Sequence, residues 1–290
     1  MLWLFIGADV SVQVNLKKLS CLLFLASLLV TTQTHGQASE IEGLFHDVEG
    51  MTPGSDEVFA KADPILERLK QSSRENVEAA LPIIVHAASD PHVSVRRVAA
   101  TALLEIAWRP DRQALLAPQT ATIASLLVDP DIPIRRVTCY VVMWLKLDAS
   151  SPLVLRMEDD LSREDAVSTI GGGIAGILMR AFPDDAASTD AIVRYMGRKD
   201  HTVQSKSDML QSIRVAGSHN RDIGKAVAAW AQGPDEAIDV DAISTLFGMG
   251  DAVVLDNQQI LSTIPVDPAQ SPRVRDAATK ALSGKSVTFP

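Results

Sequence analysis

Asp90-Pro-His-Val-Ser-Val-Arg-Arg-Val-Ala-Ala-Thr-Ala-Leu103 is followed, 39 residues on, by Asp129-Pro-Asp-Ile-Pro-Ile-Arg-Arg-Val-Thr-Cys-Tyr-Val-Val142. Val274-Arg-Asp-Ala-Ala-Thr-Lys-Ala-Leu282 repeats the core of the pattern near the C-terminus. Self-similarity at a period of roughly 40 residues marks a stacked helical solenoid, in which each unit buries its apolar face only against its neighbours. Within the unit, Val95, Val98, Ala99, Ala102, Leu103 and Ile106 recur at helical spacing and form one apolar stripe. No segment alternates with period two, so the chain is expected to be all-α.

The spacing assigns roles inside the unit. Asp90 follows a helical segment from Arg74 to Ala88 and can cap the next helix by accepting its free N–H groups. Arg96, six residues later, is within reach of Asp90 across the turn, and Pro82 interrupts the preceding helix. Pro82, Asp90, Val95 and Arg96 resemble the HEAT repeat family, and each stands at that family's offset. Asp129, Ile134 and Arg135 continue the resemblance, with Ala121 in place of the proline. Asp200, Val203 and Lys206 give a weaker third match; Val274 and Arg275 give a fourth, with Asp267 two residues out of register. The resemblance implies an Asp–Arg ladder between successive units through Asp90, Arg96, Asp129 and Arg135. It also implies that the second helix of each pair lines the concave side.

A leading helix is expected from Ser55 to Gln71, then six helix pairs over about 73–107, 111–146, 151–182, 187–216, 219–249 and 256–283. Ser72 with Glu75 fits a capping box, and Ser151-Pro152 fits a cap followed by a first-turn proline. Gly197, Gly217, Gly233, Gly248 and Gly284 fall near proposed helix ends. The unit over 151–183 departs most from the pattern, with a helix-start signal at Ser162-Arg-Glu-Asp165. The solenoid domain is expected over 55–284, with a tail at 285–290.

Residues 1–38 stand apart from the repeats. Lys17 and Lys18 precede an apolar run from Leu19 to Val30, which ends before Gly36-Gln-Ala38. That order describes a secretory signal peptide, with Ser39 as the mature start. The run falls short of the roughly 20 residues that span a bilayer, so no stable membrane insertion is expected after cleavage; an uncleaved leader would anchor the chain instead. The expected place is secreted or periplasmic, with residues 39–54 as a partly ordered arm. Cys139 is then the one cysteine of the mature chain, at the position of Ala100 in the preceding unit, and no intramolecular disulfide can form. The formal net charge of −9 becomes −10 without Asp9, Lys17 and Lys18. An acidic chain without basic tracts argues against a nucleic-acid partner.

Thr169-Ile-Gly-Gly-Gly-Ile-Ala-Gly-Ile-Leu178 carries the glycine spacing of dinucleotide-binding enzymes at Gly171, Gly173 and Gly176. That chemistry needs a strand before the glycines and a second strand after the helix. Ala166 to Ile170 makes a poor strand, and Pro183-Asp-Asp-Ala-Ala-Ser-Thr189 reads as a loop. The glycines are therefore expected to thin a helix so that a neighbour can approach. His46, His86, His92, His201 and His219 match no metal-site spacing and read as solvent-facing turn residues. Glu158, Asp159 and Asp160 read as a solvated acidic helix end.

No cofactor or catalytic constellation is expected. The leading reading is an exported, non-enzymatic scaffold that binds another protein through its concave face. The alternatives are a HEAT-like lyase or chaperone-type modifier, similar to bilin lyases, that holds a substrate or pigment in the groove, and a flavin- or dinucleotide-binding protein using Gly171 to Gly176. On the second helix of the 111–146 pair, Ile134, Val137, Val141 and Leu145 form the expected core stripe. Arg136, Tyr140 and Trp144 follow at four-residue steps on another face, with Arg97 beside Arg136 in the preceding unit. This aromatic and arginine row is the expected partner surface.

Overall fold

The computed structural model describes residues 40–53, 56–163, 165–167 and 170–285. The expected leader over 1–38 and nearly all of the tail lie outside the described residues. Every regular element among the described residues is a helix. The chain runs through α1 (residues 40–46), α2 (Asp56–Gln71), α3 (Arg74–Ala87), α4 (Val93–Ala107), a 3-10 turn (Gln113–Gln119) and α5 (Thr120–Leu127). It continues through α6 (Ile132–Trp144), α7 (Pro152–Asp160), α8 (Gly171–Ala181), α9 (Ala186–Met196) and α10 (Val203–Ala216). The C-terminal part comprises α11 (Arg221–Trp230), α12 (Glu236–Gly248), α13 (Asp251–Asp256), α14 (Gln258–Thr263), a second 3-10 turn (Ile264–Val266) and α15 (Pro272–Leu282).

These helices stack in two layers. The second helices α2, α4, α6, α8, α10, α12 and α15 pack in succession as one row. Behind them α5, α7, α9 and α11 pack in turn, and α11 goes on to meet α13 and α14. The repeated stripe makes this row: Val95, Val98, Ala99, Ala102, Leu103 and Ile106 are all buried. In α6 the buried face is rotated from the expected one. Ile134 and Val141 are buried, but Val137 and Leu145 are half-buried, while Arg135, Thr138, Cys139 and Val142 are inside.

Local signals set most boundaries. Asp131, Ser151, Asp185, Thr202, Asn220, Asp235 and Ser271 each accept a hydrogen bond from the first turn of the helix they precede. The cap of α3 is Ser73, not Ser72; the Ser72 hydroxyl donates back to the Arg68 carbonyl. Gly217 ends α10 at φ 64°, in the left-handed region that favours glycine.

Three expectations change. The stretch 40–53, expected as an arm, holds α1 and buries Ile41, Phe45 and Val48 in the common core. The Ser94 hydroxyl donates to the Val48 carbonyl, tying this cap to α4. Asp160, expected in a solvated acidic end, is 1% exposed. The irregular third unit starts its second helix at Gly171, and the described part of 161–170 forms turns. Arg198 holds that turn by donating to the Leu161 and Arg163 carbonyls. Buried Arg112 does the same for the end of α2 at Leu69 and Ser72.

Candidate functional site

The paired arginines do different jobs. Arg96 donates Nε and Nη2 to the Asp129 carboxylate at 2.7 and 3.2 Å, and Nη1 to the Asp90 carbonyl at 2.9 Å. This is a bidentate, largely buried link from one unit to the next. Asp90 does not cap α4. Its carboxylate instead takes the His92 N–H, closing the turn, and Asp129 does the same for Asp131. Arg135 donates to the Asp129 carbonyl and pairs with Asp165, which supplies the next rung from within the irregular turn. Arg97, expected exposed beside Arg136, is half-buried and grips Asp131, the cap of α6, through two hydrogen bonds. It belongs to the inter-unit links.

What remains on the second-helix face is narrower than the expected row. Arg136 and Tyr140 are exposed, and Tyr140 is 41% accessible. Trp144 is half-buried, its ring 4.8 Å from that of Trp108, which follows the preceding second helix. Trp108 is 59% exposed. Sequence reasoning missed it because it lies just past the end of α4, outside the repeated motif.

A groove runs beside this row. One cavity of about 410 Å³ is lined by Arg136 and Tyr140 of α6, by Gly171, Gly172 and Gly173 of α8, and by Gln204, Asp208 and Gln211 of α10, among others. A second, of about 210 Å³, shares Tyr140, Gly173, Ile177, Gln211 and Ser212 with the first and extends to Met143, Arg180 and Val215. The glycines explain the groove. A Cβ on Gly172 would lie 3.2 Å from the Met209 backbone nitrogen, and one on Gly176 would lie 3.1 Å from Ser212 Cβ. A Cβ on Gly171 would strike the Tyr195 ring and the Ala166 carbonyl at 2.4–2.6 Å. Those three glycines let α8 settle against its neighbours. Gly173, expected to serve packing with Gly171 and Gly176, has nothing within 4 Å of a Cβ. It leaves the groove floor open.

The chemistry around the groove is not that of a nucleotide fold. Helix α7 precedes the glycines and helix α9 follows them, where the dinucleotide fingerprint needs strands. Burial pushes the Cys139 thiol far above the usual thiol range and the Tyr195 hydroxyl up to about 12, so neither ionises near neutrality. His201, expected in solvent, is half-buried between Tyr195 and Trp230. Its Nε2 meets the Tyr195 carbonyl at 2.8 Å, and burial holds its pKa below the ordinary value. His92 pairs with Asp90, and His219 meets the Met249 carbonyl. Among the described residues no three His, Cys, Asp or Glu side chains are grouped to hold a metal ion. No helix among them is long and apolar enough to cross a membrane.

Two stacked layers of helix pairs, linked from unit to unit by arginine–aspartate rungs, decide the class. The described residues form an α-solenoid of stacked helix pairs. No family model matches the sequence, and no curated protein does. Among solved structures, the solenoid is similar to computationally designed armadillo repeat proteins for modular peptide recognition, at 13% identity and TM-score 0.36, over 85% of this chain and 99% of that one. It is also similar to a designed armadillo repeat protein in complex with the peptide (KR)4, at 14% identity and TM-score 0.36, over 84% and 99%.

Proposed function

We propose that the solenoid is an exported, non-enzymatic scaffold that binds another protein on its second-helix face. One observation carries this reading. Arg136, Tyr140 and the Trp108–Trp144 pair stand together on that face beside an open groove, in a chain with 4% aromatic residues. Tryptophan, tyrosine and arginine are the side chains that most often dominate interface energy. Trp108 and Tyr140 can be removed without opening the core, because both are exposed.

The test is crosslinking and pull-down with Trp108→Ala/Tyr140→Ala beside the wild-type chain. The variant should keep its helical circular dichroism and lose a partner that the wild type retains. Retained capture of the same partner would move the interface elsewhere. Export rests on Lys17, Lys18, the apolar run to Val30 and Ala38. Mass spectrometry of the native protein should find a start near Ser39; an intact leader on cytosolic protein would overturn that part.

A further inference from the structure

We infer that the trough along α8 binds a neutral saccharide, with one sugar ring held between an aromatic wall and a hydrogen-bonding wall. The inference goes beyond the scaffold reading, since it assigns the chain a small-molecule ligand. Helix α8 lies between α6 and α10 in the row of second helices. The cavities of about 410 and 210 Å³ share Tyr140 of α6, Gly173 of α8, and Gln211 and Ser212 of α10, so they are two lobes of one trough. The larger lobe falls within the roughly 300–1,000 Å³ of small-molecule sites. Its floor is open, because nothing stands within 4 Å of where a Gly173 Cβ would be. A rigid ring therefore has room to lie against the α8 backbone.

The two walls differ in chemistry. On the α6 side, Tyr140 borders both lobes and is 41% exposed, so its ring presents an aromatic face to the trough. On the α10 side, Gln204, Asp208 and Gln211 follow at steps of four and three residues and share one helix face. Gln204 donates an amide N–H to one Asp208 oxygen at 2.8 Å, which positions the carboxylate and leaves its second oxygen to accept. The Gln211 amide and the Ser212 hydroxyl each donate and accept. A sugar ring matches this arrangement. Its C–H groups make a flat apolar face, and its hydroxyls, each a donor and an acceptor, stand around the edge. The negative face of the tyrosine ring attracts the C–H groups, while the amide and carboxylate row meets the hydroxyls. Arg136 and Asp208 both line the larger lobe, so its formal charges balance and favour an uncharged occupant over an acid or an amine. Arg180, at the smaller lobe, donates to the Val215 carbonyl.

The probes are the methyl glycosides of glucose, galactose, mannose and N-acetylglucosamine, followed by saturation-transfer NMR and isothermal titration against the full chain. At least one should bind at millimolar concentration, with the uronic acid and the amino sugar of the same ring configuration at least fivefold weaker. Tyr140→Phe should keep that binding and Tyr140→Ala should lose at least tenfold, which separates ring stacking from a hydroxyl contact. Asp208→Ala/Gln211→Ala should lose at least tenfold, and Gly173→Leu, which fills the floor, should abolish binding. Tyr140, Asp208 and Gln211 are exposed and a Gly173 Cβ meets no neighbour, so the melting temperatures should be unchanged. Binding of the same sugar as the end residue of an immobilised oligosaccharide would identify a glycan as the source, and binding of the free glycoside alone a soluble sugar. No saturation transfer to any of the four glycosides, or full binding by Tyr140→Ala or Gly173→Leu, would each overturn the inference. Trp108 borders neither lobe. Trp108→Ala should therefore keep sugar binding while weakening capture of the protein partner, which tests the two readings apart.

Discussion

Two kinds of buried charge set the energetics at the residue scale. Arg96 and Asp129 are 13% and 6% exposed and satisfy one another, so removing one strands the other. Arg96→Ala should lower stability by about 3 kcal/mol, read as a reduced urea midpoint; an unchanged midpoint would mean that the rung contributes nothing. Asp160 and Asp239 are the opposite case. They are 1% and 2% exposed, and burial raises both carboxyls to about 6. Neither Asp160 oxygen has a hydrogen bond, and Arg163 and Arg156 stand 3.6 and 3.9 Å away. The fold therefore holds these protons at a pH where the unfolded chain, titrating near 4, has released them. Stability contributed by the two carboxyls grows as pH falls from about 6 towards 4 and is absent above 6. His201 works the other way, because its depressed pKa contributes stability that is lost as acid protonates it. Asp160→Asn isolates one of the two carboxyls. The variant should be more stable than wild type at pH 8, by about 1–3 kcal/mol, and match it near pH 4, by thermal melts at both. The Asp–Arg spacing of the rungs was legible in the repeat. The burial of Asp160 was not, since three acidic residues in a row read as a solvated end until neighbouring helices cover one of them.

At the scale of the element, α8 shows how one residue type serves two ends. Gly171, Gly172 and Gly176 are needed where Tyr195, Met209 and Ser212 approach, while Gly173 faces open space. Gly171→Ala and Gly172→Ala should each destabilise by about 1–3 kcal/mol through overpacking. Gly173→Ala should be neutral or stabilise by up to about 1 kcal/mol, since alanine is the better helix former. Denaturant titration of the three variants checks the order, and a loss for Gly173→Ala equal to the others would contradict the open floor. The sequence shows four glycines in six residues; which of them meet a neighbour depends on the angle at which α10 lies across α8.

For the whole molecule, stacking makes each end vulnerable, because a terminal unit lacks one neighbour. Among the described residues, α1 buries Ile41 and Phe45 in the common core at the N-terminal side of the stack. Phe45→Ala should cost about 3 kcal/mol and lower the melting temperature, whereas an arm would leave it unchanged. A mature start at Ser39 keeps this cap whole. The sequence by itself determined the helical class, the period and the pairing of helices; of the caps it offered, Ser151 stood, and Asp90 and Ser72 did not. Class, period and pairing follow from local spacing: an apolar stripe every three to four residues and a motif that returns. Only the tertiary structure decided that 40–53 packs, that Arg97 grips Asp131, that Trp108 stands against Trp144 and that α8 lies at the bottom of a groove. Each of those depends on residues far apart in the chain, whose meeting is set by how successive helix pairs stack and not by the order of residues within one.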